Sequence, residues 1–86
     1  MAWSASHILS AREAAREVLE EVGLDNYLFT VDPRETGWEL KVEHPVSEGW
    51  QTVTLSVERD LLLACRTDRR ARRQLAQRWR ERIGGR

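Results

Sequence analysis

Ile8, Ala11, Ala15, Val18 and Val22 recur at three- and four-residue spacing, which places one apolar stripe along a helix. Ser10 and Glu13 stand at the spacing of a capping box, and Ser4 or Ser6 offers an earlier start. Gly23 reads as the residue just past the helix end. Glu13, Glu17, Glu20 and Glu21 fall together beside the stripe, so this helix is amphipathic with an acidic flank. From Tyr27 to Val31 the residues are aromatic or mostly β-branched and predict a strand, and the turn-rich stretch Asp32 to Gly37 predicts a hairpin loop. Trp38, Leu40 and Val42 then alternate with Glu39, Lys41 and Glu43, the pattern of a half-buried strand that His44 and Pro45 are expected to end. After a loop from Val46 to Gly49, Val53, Leu55 and Val57 alternate with Thr52, Thr54 and Ser56. The short connections predict a three-stranded antiparallel meander.

Asp60 to about Ile83 reads as a long helix, with Leu61, Ala64, Cys65, Ala71, Leu75, Ala76, Trp79 and Ile83 in one arc at 100° per residue. Asp68 and Arg72 project into the middle of that arc. A break at Thr67–Asp68, with one of the two capping a new helix, is the alternative. Gly84, Gly85 and Arg86 are expected to fray. The pattern thus predicts an α+β fold in the order α-β-β-β-α, a two-layer sandwich with both helices on the one apolar face of the meander.

Eighty-six residues make one small domain spanning the whole chain, and 41% hydrophobic with 33% charged residues suit a folded soluble protein. A two-domain enzyme is excluded, and a chain this short buries only about 60 to 65% of the surface it exposes when unfolded. Residues 1–10 show no basic start followed by a long apolar block, so no secretory signal is expected. The longest apolar run, Leu61 to Cys65, is far too short to span a bilayer, and the expected location is the cytoplasm. Cys65 is the one cysteine, which excludes an internal disulfide framework and suits a buried small hydrophobe.

Charge changes this picture. The formal net charge is +0, yet residues 1–58 carry four basic against eleven acidic side chains, a net of −7, and residues 59–86 carry ten against three, a net of +7. Such a split marks either an interaction tail or two segments that attract each other. On the last helix Arg66, Arg69, Arg70, Arg73 and Arg80 gather on the arc beside the apolar one, where they suit phosphate contacts. The competing reading lays this arginine flank against Glu13, Glu17, Glu20 and Glu21.

Catalytic chemistry finds little footing. His7 and His44 lie in different elements with no metal-ligand spacing around either, and His44 reads as an edge residue at a strand end. Glu39 and Glu43 share the wet side of a strand, where alternating charge is ordinary solubility chemistry. No phosphate-loop or dinucleotide pattern appears. We therefore expect no enzyme activity, no cofactor, no metal, no small-molecule substrate and no membrane partner.

The helix–strand–strand–strand–helix order resembles that of the double-stranded-RNA-binding domain, and Thr67-Asp68-Arg69-Arg70-Ala71-Arg72-Arg73-Gln74-Leu75-Ala76 resembles that family's basic helix start. The resemblance implies phosphate contacts from this helix. Asp68 stands where that pattern is basic, Asp32 to Gly37 lacks the family's Gly-Pro-x-His loop, and Leu61 to Arg66 intrudes before the basic run. These departures remove the minor-groove contacts such a domain depends on, and the chain is not assigned to the family.

Tryptophan is the other unusual feature, with four in 86 residues. Trp38 and Trp79 fit the apolar pattern, and Trp3 is placed to staple the first helix. Trp50 falls in phase with Thr52, Thr54 and Ser56, on the open side of the sheet, where it is a candidate interface anchor. The expectation is a non-enzymatic binding module with a protein–protein or adaptor role, its partner another protein or a second copy, contacted through Trp50, Thr52 and Thr54. The alternative is RNA or DNA binding through Arg66, Arg69, Arg70, Arg73 and Arg80.

Overall fold

The structure, a computed structural model, describes residues 4–24 and 26–84. The elements are α1 (Ala5–Val22), β1 (Leu28–Pro33), β2 (Gly37–Val46), β3 (Gly49–Glu58), α2 (Arg59–Ala64) and α3 (Arg69–Gly84). The three strands form one antiparallel sheet in the order β1-β2-β3, and the fold is α+β as the pattern predicts. Its order is α-β-β-β-α-α, because the expected single C-terminal helix is two. Trp3, Gly85 and Arg86, on which the staple and most of the frayed end were placed, lie outside the described residues.

Ser4 caps α1, its Oγ accepting from the backbone N–H of His7 at 3.2 Å, so the earlier start prevails over the Ser10 capping box. Gly23 ends the helix in the left-handed region at φ 95°, as expected. Ala11, Ala14, Ala15, Val18 and Leu19 form its buried face, and the three alanines let the helix seat close to its neighbours.

The break in the C-terminal segment has a local cause. Asp68 Oδ1 accepts from the backbone N–H groups of Arg70 at 3.0 Å and Ala71 at 3.1 Å, capping α3. A continuous helix would carry Asp68 and Arg72 into the apolar arc, at the cost of desolvating both charges. With the break, Leu62 and Cys65 pack from one side, and Ala71, Leu75, Ala76, Trp79 and Ile83 from the other.

β2 runs through His44 and Pro45 rather than ending there, and the loop expected from Val46 to Gly49 shrinks to a two-residue turn at Ser47 and Glu48. Proline is tolerated here for a positional reason. The turn closes the Val46–Gly49 pair, so alternation turns the backbone groups of Pro45 away from β3 and toward the β1 side. β1 has already stopped there, its last partner being Glu43 opposite Leu28. The missing N–H therefore costs no ladder bond. At the other end, a side chain on Gly37 would place its Cβ 2.3 Å from the Val57 carbonyl oxygen, so only glycine fits.

Trp38, Leu40, Val42, Val53, Leu55 and Val57 turn to the helices and are buried. His44 belongs to this set, which corrects the edge reading: it is 8% exposed on the central strand, opposite Gln51. Its Nε2 and the Trp79 Nε1 are buried without a hydrogen-bond partner among the described residues. No helix of the described residues is long and apolar enough to cross a membrane.

Candidate interaction surfaces

The first surface is the sheet face turned away from the helices. Leu28, Thr30 and Asp32 of β1, Glu39, Lys41, Glu43 and Pro45 of β2, and Trp50, Thr52, Thr54 and Ser56 of β3 alternate onto it. Trp50 lies there 61% exposed and paired opposite Pro45; Val46, also exposed at the hairpin tip, falls in phase with His44 on the other side of the sheet. Thr52 stands opposite Glu43, and Thr54 opposite Lys41; both threonines are exposed. The period-two pattern that buries Val53, Leu55 and Val57 forces Trp50 outward, since one residue of slip would turn the whole strand over.

The second surface is the arginine face. Arg66, Arg69, Arg70 and Arg73 are exposed around the α2–α3 turn and the first turns of α3, and their guanidinium groups have no partner among the described residues. Arg66 also lines an open hollow of about 420 Å³ with His7, Ser10, Leu63 and Thr67. Arg80 departs from this group. Its guanidinium donates to the carbonyl oxygens of Glu21 at 2.8 Å and Val22 at 3.5 Å, at the C-terminal end of α1, where a cation meets the negative end of the helix dipole.

The acidic flank of α1 does meet a basic side chain of α3, through a residue outside the expected set. Arg72 Nη1 donates to Glu17 at 2.9 Å and to the Cys65 carbonyl at 3.3 Å, and its Nε lies 3.4 Å from Glu21. Glu13 pairs with Arg16 of its own helix at 2.9 Å. The signal for Arg72 was present in the sequence as a charge inside an apolar arc: such a residue needs a partner at its own depth, and the neighbouring helix supplies two. Arg78 and Arg82 carried no such mark. Arg78 lies 3.7 Å from Glu58, and Arg82 Nη2 donates to the Thr54 carbonyl at 3.3 Å, so α3 runs beside the outer edge of β3.

Among the described residues, no three His, Cys, Asp or Glu side chains gather where they could hold a metal ion. Burial pushes the Cys65 thiol up to about 11, and its Sγ donates to the Leu61 carbonyl at 3.3 Å; this is a packed thiol rather than a nucleophile. Comparison with protein-family models, with curated proteins and with solved structures finds no match to this chain.

Proposed function

We propose that this chain is a non-catalytic binding module that engages another protein through the open face of its sheet, in an adaptor or regulatory role, with Trp50 as the anchor and Thr52 and Thr54 beside it. The observation that carries this reading is the exposure of Trp50 on a face that no helix of the described residues covers. A tryptophan held rigidly in a strand loses little conformational freedom on binding and offers a large apolar surface with one N–H donor. Truncating such an anchor at an interface costs about 2 kcal/mol or more. The experiment is comparative capture with immobilised wild type and Trp50→Ala, with amide spectra showing that both are folded. A partner held by the wild type and lost from the variant supports the reading. An identical set of partners on both overturns it.

A second reading rests on the four arginines, Arg66, Arg69, Arg70 and Arg73, whose guanidinium groups stand exposed and unpartnered among the described residues. Four phosphate contacts would make affinity for a nucleic-acid duplex fall roughly 100-fold between 50 and 200 mM salt. A titration with RNA and DNA duplexes tests it, and binding that ignores salt counts against it.

A further inference from the structure

The two edges of the sheet are unequal. β1 is six residues long, and by the alternation set at the hairpin its outward backbone groups are those of Phe29, Val31 and Pro33. Pro33 has no N–H to offer there, and Asp32 adds a charge beside it, both common ways of blunting an edge. β3 is ten residues long, and Trp50, Thr52, Thr54 and Ser56 turn their N–H and C=O groups outward. The Arg82 guanidinium marks this direction, since it reaches the Thr54 carbonyl from outside the sheet. Residues 50–57 contain no charge and no proline. Among the described residues, the outward groups of Trp50, Thr52 and Ser56 have no hydrogen-bond partner.

We propose that the free edge of β3 pairs with β3 of a second copy of this chain, antiparallel about a twofold axis at Thr54. The occupant follows from the register. With the axis there, Thr54 faces Thr54, Thr52 faces Ser56 and Trp50 faces Glu58, and at each of these pairs the outward groups of one strand meet those of the other. Threonine and serine opposite one another across strands are favourable pairs, and no like charges meet. The same patch serves on both copies, as a closed twofold interface requires. Arg82 occupies the Thr54 carbonyl only as a placeholder: on pairing, the second copy's Thr54 N–H takes that oxygen. Arg82 is then released beside Glu81, which lines the same hollow along Leu55 and Ser56, so each α3 brings an acid and a base to the axis. The product is one six-stranded sheet with all helices on one side. Both Trp50 side chains stand on the other side, roughly 27 Å apart at about 3.4 Å per residue. This interface uses the edge of β3, and the partner surface proposed above uses its face.

The test is sedimentation of the full chain at micromolar concentration. The expected species has twice the 10.0 kDa mass of the chain. Thr54→Pro removes an outward N–H and no bond to β2, and is expected to weaken self-association about 30-fold, the effect of two lost backbone bonds. Glu81→Arg is expected to weaken it too, and Glu81→Arg with Arg82→Glu to restore it. Amide exchange of the wild type gives a readout that needs no variant: the Trp50, Thr52, Thr54 and Ser56 amides become protected as concentration rises. A chain that stays monomeric, or a dimer in which these four amides exchange freely, overturns the proposal. A dimer abolished by Trp50→Ala and untouched by Thr54→Pro overturns it as well, and points to the face instead of the edge.

Discussion

Cys65 is fully buried at the end of α2, where charging its sulfur would cost the solvation that water gives a thiolate. Burial raises its pKa from 9.0 to about 11, with Arg72 pulling the other way and Asp68, Glu17 and Glu21 adding to the rise. The folded thiol therefore holds its proton where the unfolded one has lost it. Stability from this group is fully present below about pH 9 and is lost as pH rises toward 11. Urea unfolding below pH 9 and at about pH 10.5 is expected to show a larger loss for the wild type than for Cys65→Ala, which lacks the titrating group; equal losses would contradict this account. The sequence already marked Cys65 as buried, because it lies inside an apolar run. His44 was illegible for the opposite reason. A histidine followed by proline reads as a strand end, and only the absence of β1 beside Pro45 lets the strand continue and carry His44 into the core.

At the scale of elements, the boundary between α2 and α3 depends on one carboxylate. Asp68 accepts from two N–H groups of the first turn of α3, which no other side chain among the described residues satisfies. Asp68→Ala is expected to cost about 1 kcal/mol in urea unfolding, with Asp68→Asn keeping most of it, because an amide oxygen still accepts these bonds. Equal stability of all three would mean that the break has another cause. Helix α1 and the strands were legible because apolar spacing at 3.6 and at 2.0 residues is a direct imprint of one-sided burial. The helix break was legible only as a conflict. Asp68 and Arg72 opposed the apolar arc, and periodicity alone gives no rule for whether a helix breaks or tolerates two such residues.

For the whole molecule, the split between acidic and basic halves is resolved at a few points rather than along two flanks. Arg72, partly buried, holds Glu17 and Glu21 and ties α3 to α1 and to the α2–α3 turn. Arg72→Met leaves two carboxylates without their partner and is expected to cost about 1 to 2 kcal/mol, between the values for exposed and fully buried pairs. Arg73→Met, one residue on and exposed, is expected to stay within about 0.5 kcal/mol of the wild type. Urea unfolding of both variants checks the contrast, and equal effects would contradict it. Arg66, Arg69, Arg70 and Arg73 take no part in that pairing among the described residues, where Arg72 meets Glu17 and Glu21 and Arg78 meets Glu58. Of the candidate contacts named from the sequence, Trp50, Thr52 and Thr54 stand together on β3, and Arg80 is the one drawn into the fold.

The sequence by itself determined the α+β class, the three strands, the first helix and the outward position of Trp50. Each is a local consequence: alternation fixes which side of a strand is buried, and a three- and four-residue stripe fixes which side of a helix is. Tertiary structure decided what depends on a neighbour from elsewhere in the chain. Whether Arg72 pairs depends on α1 lying beside α3. Whether Pro45 is tolerated depends on where β1 stops, and whether the β3 edge stays open depends on how far Arg82 reaches from α3. These are distances between residues far apart in sequence, and no period along the chain records them.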